Sequence, residues 1–222
     1  MRRCYLTLLA VVSLLLAAGC RNCWRNCHGK MPSLPRAKAA VAAFYTDGRY
    51  DKSVAQTMAE AAAFIEAAAK DGKKLAVVLD IDDTALSTYE YQSGMGFGHN
   101  GKLWHQWIDM KRGKAIAPVR DFCIKAANLK IAIFFVSGRR EAQRKATEAN
   151  LQKEGFPAWA GIMMKPDDFK SPSVVTLKSG HRREIEKQGY EIIANIGDQP
   201  SDIEGGHSGR PFLLPNLIYE VK

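Results

Sequence analysis

The stretch Leu75-Ala-Val-Val-Leu-Asp80-Ile-Asp82-Asp83-Thr84 constrains this chain most, because an apolar, β-branched run passes without a break into three carboxylates and a hydroxyl. A short apolar run such as Ala76 to Leu79 suits a parallel strand covered on both faces, and open α/β sheets bind ligands beyond the carboxyl ends of their strands. A loop leaving such a strand can aim Asp80 and Asp82 at one ligand, and crowded like charge invites a cation or shifts a pKa. Asp and Thr are also ordinary capping residues, so a solvated acidic turn before the next helix accounts for the same letters.

Three further segments bear on that choice. Lys130-Ile-Ala-Ile-Phe-Phe-Val136 is a second buried-strand candidate, and it runs into Ser137-Gly138-Arg139-Arg140 ahead of a helical pattern. A hydroxyl with free backbone N–H groups at a helix start suits phosphate. Glu191-Ile-Ile-Ala-Asn-Ile196 is a third strand, ending in Gly197-Asp198-Gln199-Pro200-Ser201-Asp202, with Lys178 upstream. Taken singly, Ser137 reads as a helix N-cap, Lys178 as a surface lysine and Asp202 as a turn residue. Taken together, three strand ends present acid, hydroxyl, then acid. Between the strands, Val54, Met58, Ala61 and Ile65 share one helical face, with Ser53 and Gln56 placed for a capping box. A later helix near residues 141–153 would turn Ala142, Ala146, Ala149 and Asn150 to the sheet and stop near Gly155. Alternation of strand and helix implies a doubly wound parallel α/β sheet.

In order and spacing, the four segments resemble the four motifs of the haloacid dehalogenase superfamily, in its class B-like acid phosphatase branch. DIDDTAL is similar to motif one, VSGR to motif two, and LKSGHRREIEKQGYEIIANIGDQPSD to motifs three and four as found in plant vegetative storage proteins and bacterial lipoprotein acid phosphatases. Gly48-Arg-Tyr50, Leu103-Trp104-His-Gln-Trp107 and the closing Phe212-Leu-Leu-Pro-Asn-Leu-Ile-Tyr219 agree, so the resemblance covers about residues 38 to 222.

The resemblance implies a Rossmann-like sheet with a small cap insertion at about 87–114, and hydrolysis of phosphomonoesters. By it, Asp80 is the nucleophile that forms an aspartyl-phosphate, and Asp82 is the general acid and base. Lys178 neutralises the transferring phosphoryl oxygens, while Ser137 and Gly138 bind them. Mg2+ would be held by the Asp80 side chain, the Asp82 backbone carbonyl and the Asp198 side chain, with Asp202 supporting it from behind. Aromatic residues of the insertion could stack on a nucleoside or aryl group, with Trp104 or Tyr91 at the leaving group, or Trp104 and Trp107 could simply anchor the cap. His99 and His105 are not expected to be catalytic. Two other readings stay open: a noncatalytic storage protein that keeps the fold, and phosphotransfer to an alcohol.

The 222 residues, 46% hydrophobic and 25% charged, are enough for one domain with a modest insertion. Arg2 and Arg3 precede an apolar run from Tyr5 to Ala18, which is short for a membrane span and built like a signal peptide over residues 1–19. Leu16-Ala-Ala-Gly-Cys20 resembles a bacterial lipobox with Cys20 as the lipidated residue, although Ala17 stands where leucine is usual. Residues 20–37 then form a tether, and the protein is expected to be exported to the cell envelope and anchored in a membrane. Once Cys4 leaves and Cys20 carries lipid, Cys23, Cys27 and Cys123 remain, and whether Cys23 pairs with Cys27 stays open. The net charge of +9 favours anionic partners, but no clustered basic patch points to nucleic acid. Oligomeric state is left open.

Overall fold

The structure, a computed structural model, describes residues 31–69, 73–170 and 173–221. The signal, lipobox and tether cysteines lie outside those residues. Two units divide the chain, Met1–Ala40 and Val41–Lys222. The described part of the first carries the opening of helix α1 (Leu34–Thr46); the second carries everything below.

Five parallel strands form one sheet in the order β5-β4-β1-β6-β7: β1 (Leu75–Leu79), β4 (Ala132–Arg140), β5 (Gly161–Lys165), β6 (Glu191–Gly197) and β7 (Arg210–Leu213). The apolar runs read as strands are three of these, and β1 lies at the centre because it is buried on both faces. Leu75, Val77 and Leu79 enter one core with Ile133 and Phe135 of β4, whereas Ala76 and Val78 enter the opposite one with Phe134 and Val136. That two-residue alternation is the pleat itself.

Helices cover both faces. Helix α2 (Arg49–Ala68) supplies Val54, Met58, Ala61 and Ile65 to the larger core, as the periodicity predicts, and Tyr50 joins them. Each fully buried aliphatic side chain contributes about 1.5–3 kcal/mol. The expected capping box does not form, because the helix starts earlier. Gly48 takes the left-handed conformation (φ 88°) that a side chain would disfavour, and the Asp47 carboxylate accepts the Arg49 N–H at 3.2 Å. Helix α5 (Ala117–Asn128) packs on the same face, while α7 (Val174–Lys187) delivers Ile185 to the other.

From β1 the chain visits β4 and β5 on one side, then returns to β6 and β7 on the other. The carboxyl ends of β1 and β6 therefore flank the switch point where α/β sheets bind ligands.

Residues between β1 and β4 fold over that edge. An antiparallel ribbon of β2 (Leu86–Ser87) and β3 (Lys114–Ala115) brackets helices α3 (Tyr89–Gly94) and α4 (Gly101–Asp109). Tyr91, Trp107 and Ile108 form a separate small core there, with Trp104 stacked on Trp107 at 5.3 Å.

Two expectations for the helix after β4 need correction. Strand β4 continues to Arg140, and a 3-10 turn at Glu141–Gln143 precedes α6 (Arg144–Lys153). Three residues at the tighter winding advance the helical phase by about 60°. The buried set is accordingly Gln143, Thr147, Asn150 and Leu151, with Ala142 exposed. Asn150 serves the insertion: its Nδ2 donates to the Gly113 carbonyl at 2.7 Å and its Oδ1 accepts the Gly113 N–H at 3.1 Å. The helix does stop at Gly155 (φ 84°).

Candidate active site

Leu79 of β1 pairs with Phe135 of β4 and Ile196 of β6, so the next residues of the three strands share one level. Asp80 follows directly, its N–H held by the Ile196 carbonyl at 3.0 Å. It opens on a cavity of about 440 Å3 shared with Asp82, Gly138, Lys178 and Asp198.

Lys178 comes from α7, whose N-cap Ser173 accepts the Thr176 N–H. Its Nζ donates to Asp80 Oδ1 at 2.6 Å and to Asp202 Oδ1, all three groups being buried. Among the described residues Asp80 Oδ2 accepts no hydrogen bond. Burial pushes the Asp80 carboxyl well above the usual carboxylate range; Lys178 pulls it back only in part, and Asp202, Asp198 and Asp82 push it further. Burial pushes the Lys178 ammonium down, but Asp80 and Asp202 more than reverse this, so it sits above its ordinary value. One ammonium thus serves two carboxylates, and the crowding of like charge favours a further cation among them.

Asp198 ends β6. Thr84 Oγ1 donates to its Oδ1 at 2.9 Å, and Gln199 Nε2 and Asn216 Nδ2 each donate to its Oδ2 at 2.8 Å. Burial, then the charges of Asp202 and Asp83, push its carboxyl up to about 7 despite those donors.

Asp80, Asp198 and Asp202 each bring a buried oxygen within 4.8 Å of the others. All-oxygen donors of this charge can hold a hard divalent cation. Asp202 is already committed on both sides. Its Oδ1 takes Lys178, and its Oδ2 accepts the N–H groups of Asp198 and Gln199 at 3.0 and 2.9 Å. That makes it a brace behind Asp198, with Asp80 and Asp198 nearer the role of ligands. The brace needs Gly197, since a Cβ there would overlap the Asp202 carboxyl.

Asp82 meets Arg139. The guanidinium donates from Nε to both carboxylate oxygens at 3.1 Å and from Nη2 to Oδ1 at 2.7 Å, while Nη1 donates to Thr147 Oγ1. The Arg139 side chain is 1% exposed and that of Asp82 is 20% exposed, so a buried cation aims an acid left open to the cavity. The sequence reading assigned Arg139 no role. Its available signal was an arginine directly behind a buried strand, where an unpaired charge is costly.

Ser137 departs from expectation in setting. It lies inside β4, not at a helix start, and its Oγ accepts the Arg139 N–H at 3.1 Å. Pairing of β4 with β5 shifts between Val136 and Arg140, and this irregularity exposes Gly138 to the cavity while Arg139 stays buried.

Asp83 takes the turn role but is buried, not solvated. With φ 58°, it accepts the Thr88 N–H at 2.8 Å and the Thr88 hydroxyl at 2.6 Å, tying the loop to the start of α3. Arg182, fully buried on α7, was also missed; it donates to the carbonyls of Asp202, Glu204 and Gly206 and holds the loop after β6.

Above the acids, Trp104, Phe97 and His99 line the cavity, while Tyr91 does not. The Tyr91 hydroxyl donates to the Asn100 carbonyl and accepts the Asn100 N–H, both at 3.0 Å, and so secures the N-cap of α4. Trp107 is buried as an anchor, and His105 hydrogen-bonds Gln143 at 3.0 Å. Cys123 is buried in α5, where burial pushes its thiol up and leaves it inert.

Comparison with known proteins agrees with this geometry. The chain is similar to the stem 28 kDa glycoprotein of Glycine max, 34% identical over 80% of this chain and 72% of that protein. It is also similar to acid phosphatase 1 of Solanum lycopersicum, 29% identical over 65% of this chain and 58% of that one. Its fold matches a crystal structure of the Class C acid phosphatase from Bacillus anthracis with tungstate bound, with a TM-score of 0.71 and 24% identity, covering 85% of this chain and 86% of that one. The family model for the HAD superfamily, subfamily IIIB (acid phosphatase) matches residues 19–222. With its acids gathered at the switch point of a parallel sheet, the chain belongs to that subfamily and is a phosphomonoester hydrolase of the haloacid dehalogenase superfamily.

Proposed function

We propose that the protein hydrolyses phosphomonoesters, nucleoside monophosphates among them, through an aspartyl-phosphate on Asp80 and with Mg2+ as its cation. The observation that carries this is the Asp80 carboxylate, fixed through one oxygen by Lys178 and with the other free at the cavity. The free oxygen attacks phosphorus, the P–O bond to the alcohol breaks, and Asp82 gives its proton to the departing oxygen. Asp82 then takes a proton from water, whose oxygen attacks the phosphorus of the aspartyl-phosphate and releases inorganic phosphate and the free Asp80 carboxylate. Lys178, with the Ser137 and Gly138 segment, balances the charge of the phosphoryl oxygens. Asp80, the Asp82 backbone carbonyl and Asp198 would hold Mg2+, which would supply charge compensation between nucleophile and phosphate. The same reading places the enzyme outside the cytoplasm, exported by residues 1–19 and anchored by lipid on Cys20, where it recovers phosphate from organic esters.

The test is phosphate release from an aryl phosphate and a panel of nucleoside monophosphates, with and without Mg2+, in the protein and in Asp80→Asn. Metal-dependent turnover that falls at least about a thousandfold in the variant is expected. Turnover within tenfold of the parent would remove Asp80 as the nucleophile. A folded, metal-loaded protein without turnover would favour the storage reading.

A further inference from the structure

Gln92 is a polar residue that the reaction above does not use. It sits on α3, is only 9% exposed, and lines the reaction cavity. Its backbone is fully engaged: the N–H donates to the Thr88 carbonyl at 3.0 Å and the carbonyl accepts the Phe97 N–H at 2.7 Å. Its carboxamide makes no hydrogen bond among the described residues. Although the residue is buried to about nine-tenths, its carboxamide is not sealed from the cavity, so a ligand that enters can take up its donors and its acceptor.

Its surroundings say what kind of ligand. Thr88, one turn before Gln92, is bonded to Asp83 through both its N–H and its hydroxyl, so α3 is fixed to the loop that carries Asp82. Gln92 therefore shares one cavity with Asp82, the residue assigned to protonate the leaving oxygen. Trp104 and Phe97 line the same cavity. Phe97 holds a left-handed backbone (φ 59°), unfavourable for a bulky residue and typical of ligand-contacting positions. Flat aromatic walls with one unpartnered carboxamide suit a planar group that carries polar atoms, and a purely apolar one would leave the carboxamide unsatisfied.

We propose that Gln92 determines leaving-group specificity: its carboxamide hydrogen-bonds the polar atoms of a nucleoside whose base lies against Trp104 and Phe97. This rests on the phosphomonoesterase reading. The test compares kcat/KM for a nucleoside 5′-monophosphate and for phenyl phosphate in the full chain and in Gln92→Met, which keeps length and volume but loses the hydrogen bonds. The nucleotide value is expected to fall about tenfold, chiefly through KM, with phenyl phosphate changed less than twofold. Gln92→Ala, read as the ratio of the two substrates, gives the same discrimination should the methionine variant fold poorly. Equal loss on both substrates, or no loss on the nucleotide, overturns the proposal. So does a parent protein that hydrolyses phenyl phosphate but no nucleotide, and that result leaves the phosphomonoesterase reading standing. A parent that hydrolyses neither removes both.

Discussion

Replacing Lys178 with methionine would show whether the acid cluster depends on a single ammonium. The lysine Nζ lies 2.6 Å from Asp80 Oδ1, and both side chains are 7% exposed. At an effective dielectric of about 20, one pair at that distance is worth about 6 kcal/mol before desolvation. Burial of the charges takes part of this back, and breaking a buried pair by removing one partner costs about 3–5 kcal/mol. Methionine fills the same space, so the loss isolates the charge. It should appear as a 3–5 kcal/mol drop in unfolding free energy, measured by urea denaturation of the metal-free protein at pH 7.

The pH dependence follows from the same cluster. Asp80 already titrates above its ordinary value because it is buried, and loss of the ammonium raises it further. A carboxyl whose folded pKa is raised penalises the fold only above its unfolded pKa of about 4, where the unfolded chain is ionised. The gap between variant and parent should therefore narrow as pH falls from 7 toward 4. Added Mg2+ should narrow it too at pH 7, since a cation takes over the compensation. A difference under about 1 kcal/mol at pH 7 would refute the argument, as would a gap that widens on acidification.

Two further outcomes test the support around the acids. Arg139→Met should lower kcat about ten- to a hundredfold on alkyl phosphates, part of the usual general-acid contribution, and much less on p-nitrophenyl phosphate, whose leaving group needs no proton; equal losses on both esters would deny Arg139 a role in aiming Asp82. Gly197→Ala should destabilise the protein by about 1–3 kcal/mol by pushing the Asp202 carboxyl off the Asp198 and Gln199 N–H groups, seen as a melting temperature lower by roughly 2–12 °C; an unchanged transition would mean that the loop has room to give.

What the sequence disclosed and what it hid divide along a physical line. Strands β1, β4 and β6 were legible because each carries a short, largely apolar and β-branched or aromatic run, of the length and make-up that suit a strand covered on both faces. Asp80 and Asp198 stood out as carboxylates directly behind such strands, whereas Lys178 and Asp202, ordinary surface and turn residues when read singly, drew their roles from the resemblance to the family's motifs. The supporting partners were not legible. Arg139 meets Asp82 from 57 residues away, Thr84 meets Asp198 from 114, and Asn216 reaches the same carboxylate from 18 residues downstream. No periodicity encodes a hydrogen bond between strand ends that only the sheet order makes neighbours. The 3-10 turn after β4 belongs to the same class, since the letters from Glu141 to Lys153 fit a continuous helix and the shifted phase goes with tertiary bonds of Gln143, Thr147 and Asn150 to His105, Arg139 and Gly113. Gln92 is the extreme case: its carboxamide has no partner within the described chain, so nothing local could have marked it, and its meaning depends on a molecule that comes from outside.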